Sequence, residues 1–304
     1  MNKTVILIAG PTASGKTSLA IHLAKRFHTA IISADSRQCF KEISIGVAKP
    51  TVDELKAAPH YFINTNSVHD TVTAAGFEAY AMKCAEKLFW EHDVIIMAGG
   101  TGLYINAFLE GMDEIPAMNE NIRMQLTALY EANGITWLQK ELLERDPLFA
   151  ASGAMQNPQR MLRALEVLES TGQSIMHYQK GIKKKRSFHT VKIGLDLPRE
   201  ELYNRINHRV DIMMKDGLLQ EVQGLHHLQH LNALQTVGYR ELFDYFKGEI
   251  NLETAISKIK QNTRHYAKRQ LTWFKRDEEI KWFHPQELDK IEAYIQQQLK
   301  STAL

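Results

Sequence analysis

Residues Gly10-Pro11-Thr12-Ala13-Ser14-Gly15-Lys16-Thr17 match the pattern G-x-x-x-x-G-K-[ST]. The pattern is built for phosphate: its glycines turn backbone N–H groups inward, Lys16 supplies a point charge, and Thr17 offers a hydroxyl to Mg²⁺. It follows an apolar strand pattern and opens a helical one, which is the context the mechanism requires, so a di- or triphosphate ligand is expected. In nucleoside triphosphatases a later strand ends on an acid that helps hold magnesium. Here that strand runs out as Met97-Ala98-Gly99-Gly100-Thr101, with no carboxylate. The acid at a strand end is instead Asp35, followed by Ser36-Arg37-Gln38. Asp35 reads equally as a proton acceptor or as a helix N-cap. Thr101 reads as a hydrogen-bonding group or as a turn residue satisfying its own backbone.

Other reactive side chains carry less. Arg205 and Arg209 stand one helical turn apart and can face one anion. Of the two, Arg209 is the better ligand candidate and Arg205 the better surface residue. The thirteen histidines include His226-His227-x-x-His230, which reads as a surface or half-buried face rather than a metal cluster. Cys39 and Cys84 are widely separated and point to neither a disulfide framework nor a zinc site, which suits a reducing cytoplasm.

The elements that must position these groups form an alternating pattern. Buried strands are expected at Thr4 to Ala9, Ala30 to Ala34, Val94 to Ala98 and Val191 to Asp196. The first is followed by a helix with Leu19, Ala20, Leu23, Ala24 and Phe27 on one face. This predicts an α/β fold, a P-loop-type parallel sheet flanked by helices, with ligands beyond the carboxyl ends of the strands. From Asp113 to Lys185 the pattern is helical without a credible strand. The expected organisation is therefore a catalytic core over 1–112 and 186–304, with an inserted helical subdomain over 113–185. Two long amphipathic helices, Arg199 to Leu228 and Leu252 to Arg276, complete the core.

Composition sets the outer limits. The chain has 304 residues, 44% hydrophobic and 24% charged, and this excludes disorder. No apolar run approaches the ~18 residues of a membrane span. Net charge is only +2, so bulk charge announces no nucleic-acid partner. Local basic patches do occur: Lys180, Lys183, Lys184, Lys185 and Arg186 in one stretch, and Arg264, Lys268, Arg269, Lys275 and Arg276 in another. Such patches hold an anionic backbone or form a solvated face.

Several segments together resemble the tRNA dimethylallyltransferases, also called tRNA isopentenyltransferases. They are GPTASGKT at Gly10 to Thr17, DSRQ at Asp35 to Gln38, IGVAKP at Ile45 to Pro50, GGTGLY at Gly99 to Tyr104, QRMLRALEV at Gln159 to Val167, the helix carrying Arg205, Arg209 and Asp211, and TRHYAKRQLTWF at Thr263 to Phe274. Family members often have tyrosine at the position of Phe40 and threonine at that of Val47, and Phe40 has no hydroxyl to offer. The resemblance implies transfer of a dimethylallyl group from dimethylallyl diphosphate to N6 of the adenosine 3′-adjacent to a tRNA anticodon.

On that reading Gly10, Pro11, Thr12, Ala13, Ser14, Gly15, Lys16 and Thr17 cradle the departing diphosphate, with Mg²⁺ as cofactor on Thr17 and Arg209 beside it. Asp35 becomes the base and Thr101 its neighbour, completing an implied catalytic set of Asp35, Lys16, Thr17, Thr101 and Arg209. A stacked adenine must be flipped out to be reached. The implied tRNA contacts are Asp35, Ser36, Arg37, Gln38 and Thr101, Arg123, the run Gln159, Arg160, Met161, Leu162 and Arg163, and Arg264, Lys268 and Arg269. Within the run, Met161 and Leu162 read as core from their apolar types. The partners are a tRNA anticodon stem-loop and dimethylallyl diphosphate, with no membrane, and a monomer is the default. Rival readings are prenylation of free AMP, a small-molecule kinase using the same loop, and an RNA-binding nucleotide switch.

Overall fold

The computed structural model describes residues 3–116 and 120–301. These divide into two compact units, one formed by Met1–Glu110 with Lys185–Leu304 and the other by Gly111–Lys184.

The first unit opens with β1 (Thr4–Ala9), α1 (Lys16–Arg26), β2 (Ile31–Ala34), α2 (Val52–Ala57), β3 (His60–Tyr61), α3 (Ala74–Glu91), β4 (Val94–Gly99) and α4 (Gly102–Glu110). β1 and β2 are buried along their whole lengths, which is why they read as unbroken apolar runs. After the second unit the chain returns with β5 (His189–Leu195), which pairs alongside β1.

The second unit contains α5 (Glu120–Arg145), α6 (Pro147–Ala151) and α7 (Pro158–Thr171). Gly134, at φ 72°, breaks α5 into two helices. Asn157 caps α7, with Pro158 in the first turn and Gly172 in the left-handed conformation after it. Met161 and Leu162 are 0% and 7% exposed and pack with Leu138, Leu142 and Phe149 in this unit's core. They are therefore withdrawn as RNA contacts, because their side chains are the apolar face that holds α7 in place.

The rest of the first unit is α8 (Arg199–Lys215), α9 (Leu218–Gly224), α10 (Tyr239–Phe246), α11 (Leu252–Phe274), β6 (Lys281–Phe283) and α12 (Leu288–Ser301). The single helix expected over Arg199 to Leu228 is two helices and a 3₁₀ turn. Gly217, at φ 103°, takes the left-handed conformation that ends the first and starts the second. The sheet order is β3-β2-β4-β1-β5-β6, with every pair parallel. The edge strands β3 and β6 have only two and three residues, too few for a period to show.

Register decides what meets at the sheet's open end. Ala9 pairs with Gly99, and Gly99 with Ala34. The next residues, Gly10, Gly100 and Asp35, therefore leave the sheet side by side. The chain turns outward in both directions from β1, which makes this end the crevice where such folds bind ligands. Beneath it, Ile6, Ile8, Leu23, Ile96, Ile193 and Leu195 form the apolar floor.

Candidate active site

The phosphate loop is shaped by left-handed backbone at Ala13 (φ 63°) and Gly15 (φ 94°) and by Gly10 at φ 148°. A Cβ on Gly10 would lie 2.8 Å from the Leu195 carbonyl oxygen, so only glycine lets β1 turn here against β5. Lys16 Nζ donates to the Pro11 carbonyl at 2.6 Å. Burial, reinforced by the Arg209 charge and opposed by Asp35, brings the Lys16 pKa down to about 7. Arg209 Nη1 donates to Thr12 Oγ1 at 3.4 Å, so α8 closes over the loop. Burial also lowers the Arg209 pKa from its ordinary value. Arg205 lines the same cavity but pairs with Glu201 at 2.9 Å, one turn back on its own helix.

Asp35 caps a turn and not the helix that one of its two readings expected. Its Oδ1 accepts from the backbone N–H of Arg37 at 2.9 Å and of Gln38 at 3.2 Å, an Asx-type cap on the turn that follows β2. Its Oδ2 has no hydrogen-bond partner among the described residues, and Asp35 lines the cavity. Thr101 Oγ1 accepts from Ser36 N–H at 3.1 Å and lies 3.4 Å from the Ser36 hydroxyl, tying the glycine turn after β4 to the Asp35 turn. Gln38 Nε2 donates to the carbonyls of Val47 and Ala48 at 3.3 and 3.0 Å, and Arg37 Nη1 to that of Asn232 at 2.9 Å. Both side chains brace neighbouring backbone.

α11 supplies residues that spacing alone did not single out. Gln270, 6% exposed, accepts from Thr12 N–H at 2.8 Å and donates to the Gly100 carbonyl at 2.9 Å. One amide thus joins the phosphate loop to the glycine turn. A Cβ on Gly100 would stand 2.1 Å from Gln270 Nε2, and one on Gly102 would stand 2.2 Å from Trp273 Nε1. Gly100 and Gly102 are therefore there to admit α11, while Gly99 lets β4 pass against Ala34 of β2. Tyr266 hydrogen-bonds the Thr101 side chain, and burial pushes its phenol up to about 12. The signal available in the sequence was a glutamine in register with Ala267 and Phe274 on the helix's buried stripe. Arg264 donates to Asn207 Oδ1 at 2.7 Å, while Lys268 and Arg269 are exposed.

These groups surround one cavity of about 1050 Å³. Its polar lining includes Thr12, Lys16, Thr17, Asp35, Glu54 and Arg209, and its apolar lining includes Ile45, Val47, Val52, Ile206, Val210 and Met213. The oxygen donors near Lys16 and Arg209 include the hydroxyls of Thr12 and Thr17 and the carboxylates of Asp35 and Glu54. Among the described residues no cluster of three or more His, Cys, Asp or Glu forms a metal cage. That donor set fits an Mg²⁺ carried on phosphate oxygens, which keeps several waters and needs few protein ligands.

The remaining sequence candidates lie in the second unit or in the basic stretch. Gln159 and Arg160 are exposed on α7. Arg163 and Arg123 both reach the buried carboxylate of Glu166, at 3.1 and 3.4 Å. Arg186 leaves the basic stretch altogether: it is half-buried, pairing with Glu78 at 2.8 Å and donating to the Ala107 carbonyl at 2.9 Å. No helix of the described residues is long and apolar enough to cross a membrane.

Comparison with known proteins places this architecture. The IPP transferase family model matches residues 38–277. The tRNA dimethylallyltransferase of Cytophaga hutchinsonii is 47% identical over 99% of both chains. That of Christiangramia forsetii is 48% identical over 99% of this chain and 100% of its own. Among solved structures, the tRNA isopentenylpyrophosphate transferase of Bacillus halodurans covers 100% of this chain and 98% of its own at 34% identity, with a TM-score of 0.72. A eukaryotic dimethylallyltransferase acting on tRNA covers 90% of this chain and 70% of its own at 28% identity, with a TM-score of 0.73. Relatives that agree in sequence from end to end, and a solved fold that superposes over the whole chain, leave one assignment: the protein belongs to the tRNA dimethylallyltransferase family of IPP transferases.

Proposed function

We propose that the protein transfers a dimethylallyl group from dimethylallyl diphosphate to N6 of the adenosine 3′-adjacent to the anticodon of tRNA. The observation that carries this reading is the register that releases Gly10, Asp35 and Gly100 side by side at one cavity lined by both charged and apolar side chains. The diphosphate lies in the loop Gly10 to Thr17. Lys16, the loop amides and Arg209 meet the negative charge that grows on it as the C1–O bond breaks. When bound, Mg²⁺ supplies further charge to the diphosphate, with the Thr17 hydroxyl as its ligand.

The acceptor nitrogen is a weak nucleophile because its lone pair is spread into the purine. As N6 forms its bond to C1, the diphosphate leaves with the electron pair of the broken bond, and the Asp35 carboxylate takes the N6 proton. Oδ1 holds the turn, so Oδ2 is the oxygen left for that proton. Thr101, fixed to Ser36 and Tyr266, keeps the two strand-end turns at a constant separation.

tRNA is the acceptor that gives the remaining exposed cations a purpose. Gln159, Arg160 and Arg163, with Arg123, contact the anticodon loop, and Lys268 and Arg269 take phosphates. The protein works in the cytoplasm as a monomer. The test is nucleoside mass analysis of tRNA incubated with the protein, Mg²⁺ and dimethylallyl diphosphate, expecting one prenyl group on adenosine. Faster prenylation of AMP than of tRNA, or ATP-dependent phosphoryl transfer, would sink the proposal.

A further inference from the structure

The loop Ser44 to Pro50 forms one wall of the cavity, yet it has no strand or helix of its own. It is held from α9, 175 residues downstream of Gly46. Glu221 Oε2 accepts from the backbone N–H groups of Ser44 at 2.9 Å and Ile45 at 2.8 Å, and Oε1 accepts from Gly46 N–H at 3.0 Å. The Tyr239 hydroxyl donates to Oε1 at 2.5 Å. Four donors saturate a carboxylate's acceptor sites. Burial, and then the Glu221 charge, hold the Tyr239 phenol well above its ordinary pKa, so it stays a donor. The Tyr239 ring is fully buried and sits so close to Gly46 that a Cβ there would lie 2.5 Å from it. One carboxylate and one ring therefore hold the Ser44 to Gly46 end of the loop, while Gln38 holds the carbonyls of Val47 and Ala48.

Beside Ser44 and Lys49, the loop offers the cavity two apolar side chains, Ile45 and Val47, and Val210, Met213 and Leu218 also line it. On the reaction proposed above, diphosphate and adenosine are polar, and only the five-carbon chain matches such a wall. We infer that Glu221, supported by Tyr239, is a positioning residue that fixes the Ser44 to Gly46 wall against the prenyl chain and so sets the chain length the enzyme accepts. Glu221 touches no reacting atom on this account. Its effect belongs to donor binding and donor choice rather than to proton transfer.

The inference rests on the transferase reading, and the test separates the two. Steady-state prenylation of tRNA is measured with dimethylallyl and geranyl diphosphate for wild type, Glu221→Ala, Glu221→Gln and Tyr239→Phe. Glu221→Ala should raise the KM for the five-carbon donor about tenfold, with kcat within about threefold and tRNA KM within about twofold. It should also narrow the kcat/KM preference for the short donor by about tenfold. Glutamine keeps one acceptor oxygen but turns a donor towards Gly46 N–H, so Glu221→Gln should shift the same quantities by about threefold. Tyr239→Phe keeps the ring and should do no more than that. If the alanine variant does not fold, the glutamine and phenylalanine variants decide the matter through the same donor KM and chain-length ratio. A wild type that leaves tRNA unprenylated overturns the proposed function and this inference with it. An active wild type whose variants keep both donor KM and chain-length preference, or lose only kcat, overturns the inference alone.

Discussion

Lys16 predicts that donor binding takes up a proton. Its ammonium is enclosed by the loop, faces Arg209 and donates to a single carbonyl, and burial brings its pKa down to about 7. At pH 8 such a lysine is about nine-tenths neutral. A diphosphate in the loop places negative charge beside it and restores the charged form. The complex then holds more protons than the free protein, so binding at pH 8 should take up about 0.9 proton, falling to about one quarter at pH 6.5. By linkage the apparent donor affinity should fall as pH rises above 7, approaching tenfold per pH unit. The assay is calorimetric titration of dimethylallyl diphosphate without tRNA, in buffers of different ionisation enthalpy. The slope of apparent enthalpy against buffer enthalpy counts the protons. Lys16→Arg stays charged at every pH used and should abolish the uptake. Buffer-independent enthalpies for the wild type at pH 8, or equal uptake in Lys16→Arg, would refute the reasoning.

Asp35→Asn keeps an oxygen for the Arg37 and Gln38 N–H groups, so the turn survives, while single-turnover prenylation should slow by about 10²- to 10⁴-fold; tRNA affinity measured alongside should stay near wild type, and an unchanged rate removes Asp35 from the chemistry. Gln270→Glu loses the donor to the Gly100 carbonyl and buries a charge beside it, at a cost of about 2–4 kcal/mol in urea unfolding; equal midpoints would contradict the bridging role. Arg160→Ala should lower the salt slope of tRNA binding by about 1 without changing stability. Arg163→Ala also strips a partner from buried Glu166 and should lower thermal stability by on the order of 1 kcal/mol, whereas identical melting curves for the two variants would deny that difference.

The parts legible in the sequence are those whose physics is local. The phosphate loop is eight consecutive residues, and β1, β2 and β4 are apolar because both of their faces are covered. The stripe of α1 shows because burial selects it: Leu19, Ala20, Leu23 and Ala24 are all buried. Local spacing failed where backbone or distant partners decide. Amphipathic periodicity runs on through Asp216-Gly217, but the left-handed Gly217 separates α8 from α9. The Lys180 to Arg186 stretch looks uniform, but Glu78, 108 positions away, draws Arg186 inward. Asp35 announced itself as an acid at a strand end, but no pattern within its own segment shows Tyr266 reaching Thr101 or Glu221 reaching Gly46.

Gln270 shows why the C-terminal half is needed for a site whose recognisable motifs lie mostly in the first 104 residues. The β1–β4 ladder ends at Ala9 and Gly99, and beyond it the two chains diverge to make the cradle. Divergence leaves an N–H on one side, at Thr12, and a C=O on the other, at Gly100, both shielded from water by α11. Unpaired, each would oppose the geometry that opens the cradle. A single side-chain amide offers one acceptor and one donor in a fixed plane, and Gln270 uses both across the gap. A carboxylate has no donor at neutral pH and an ammonium has no acceptor, so neither satisfies both strands. The cleft between β1 and β4 is therefore held open by an insertion from α11 that stands in for the missing ladder bonds. The same helix brings Tyr266 to Thr101 one turn earlier. Phosphate loop and carboxylate turn thus share one support, which in the proposed reaction would keep the donor and the base at a fixed separation.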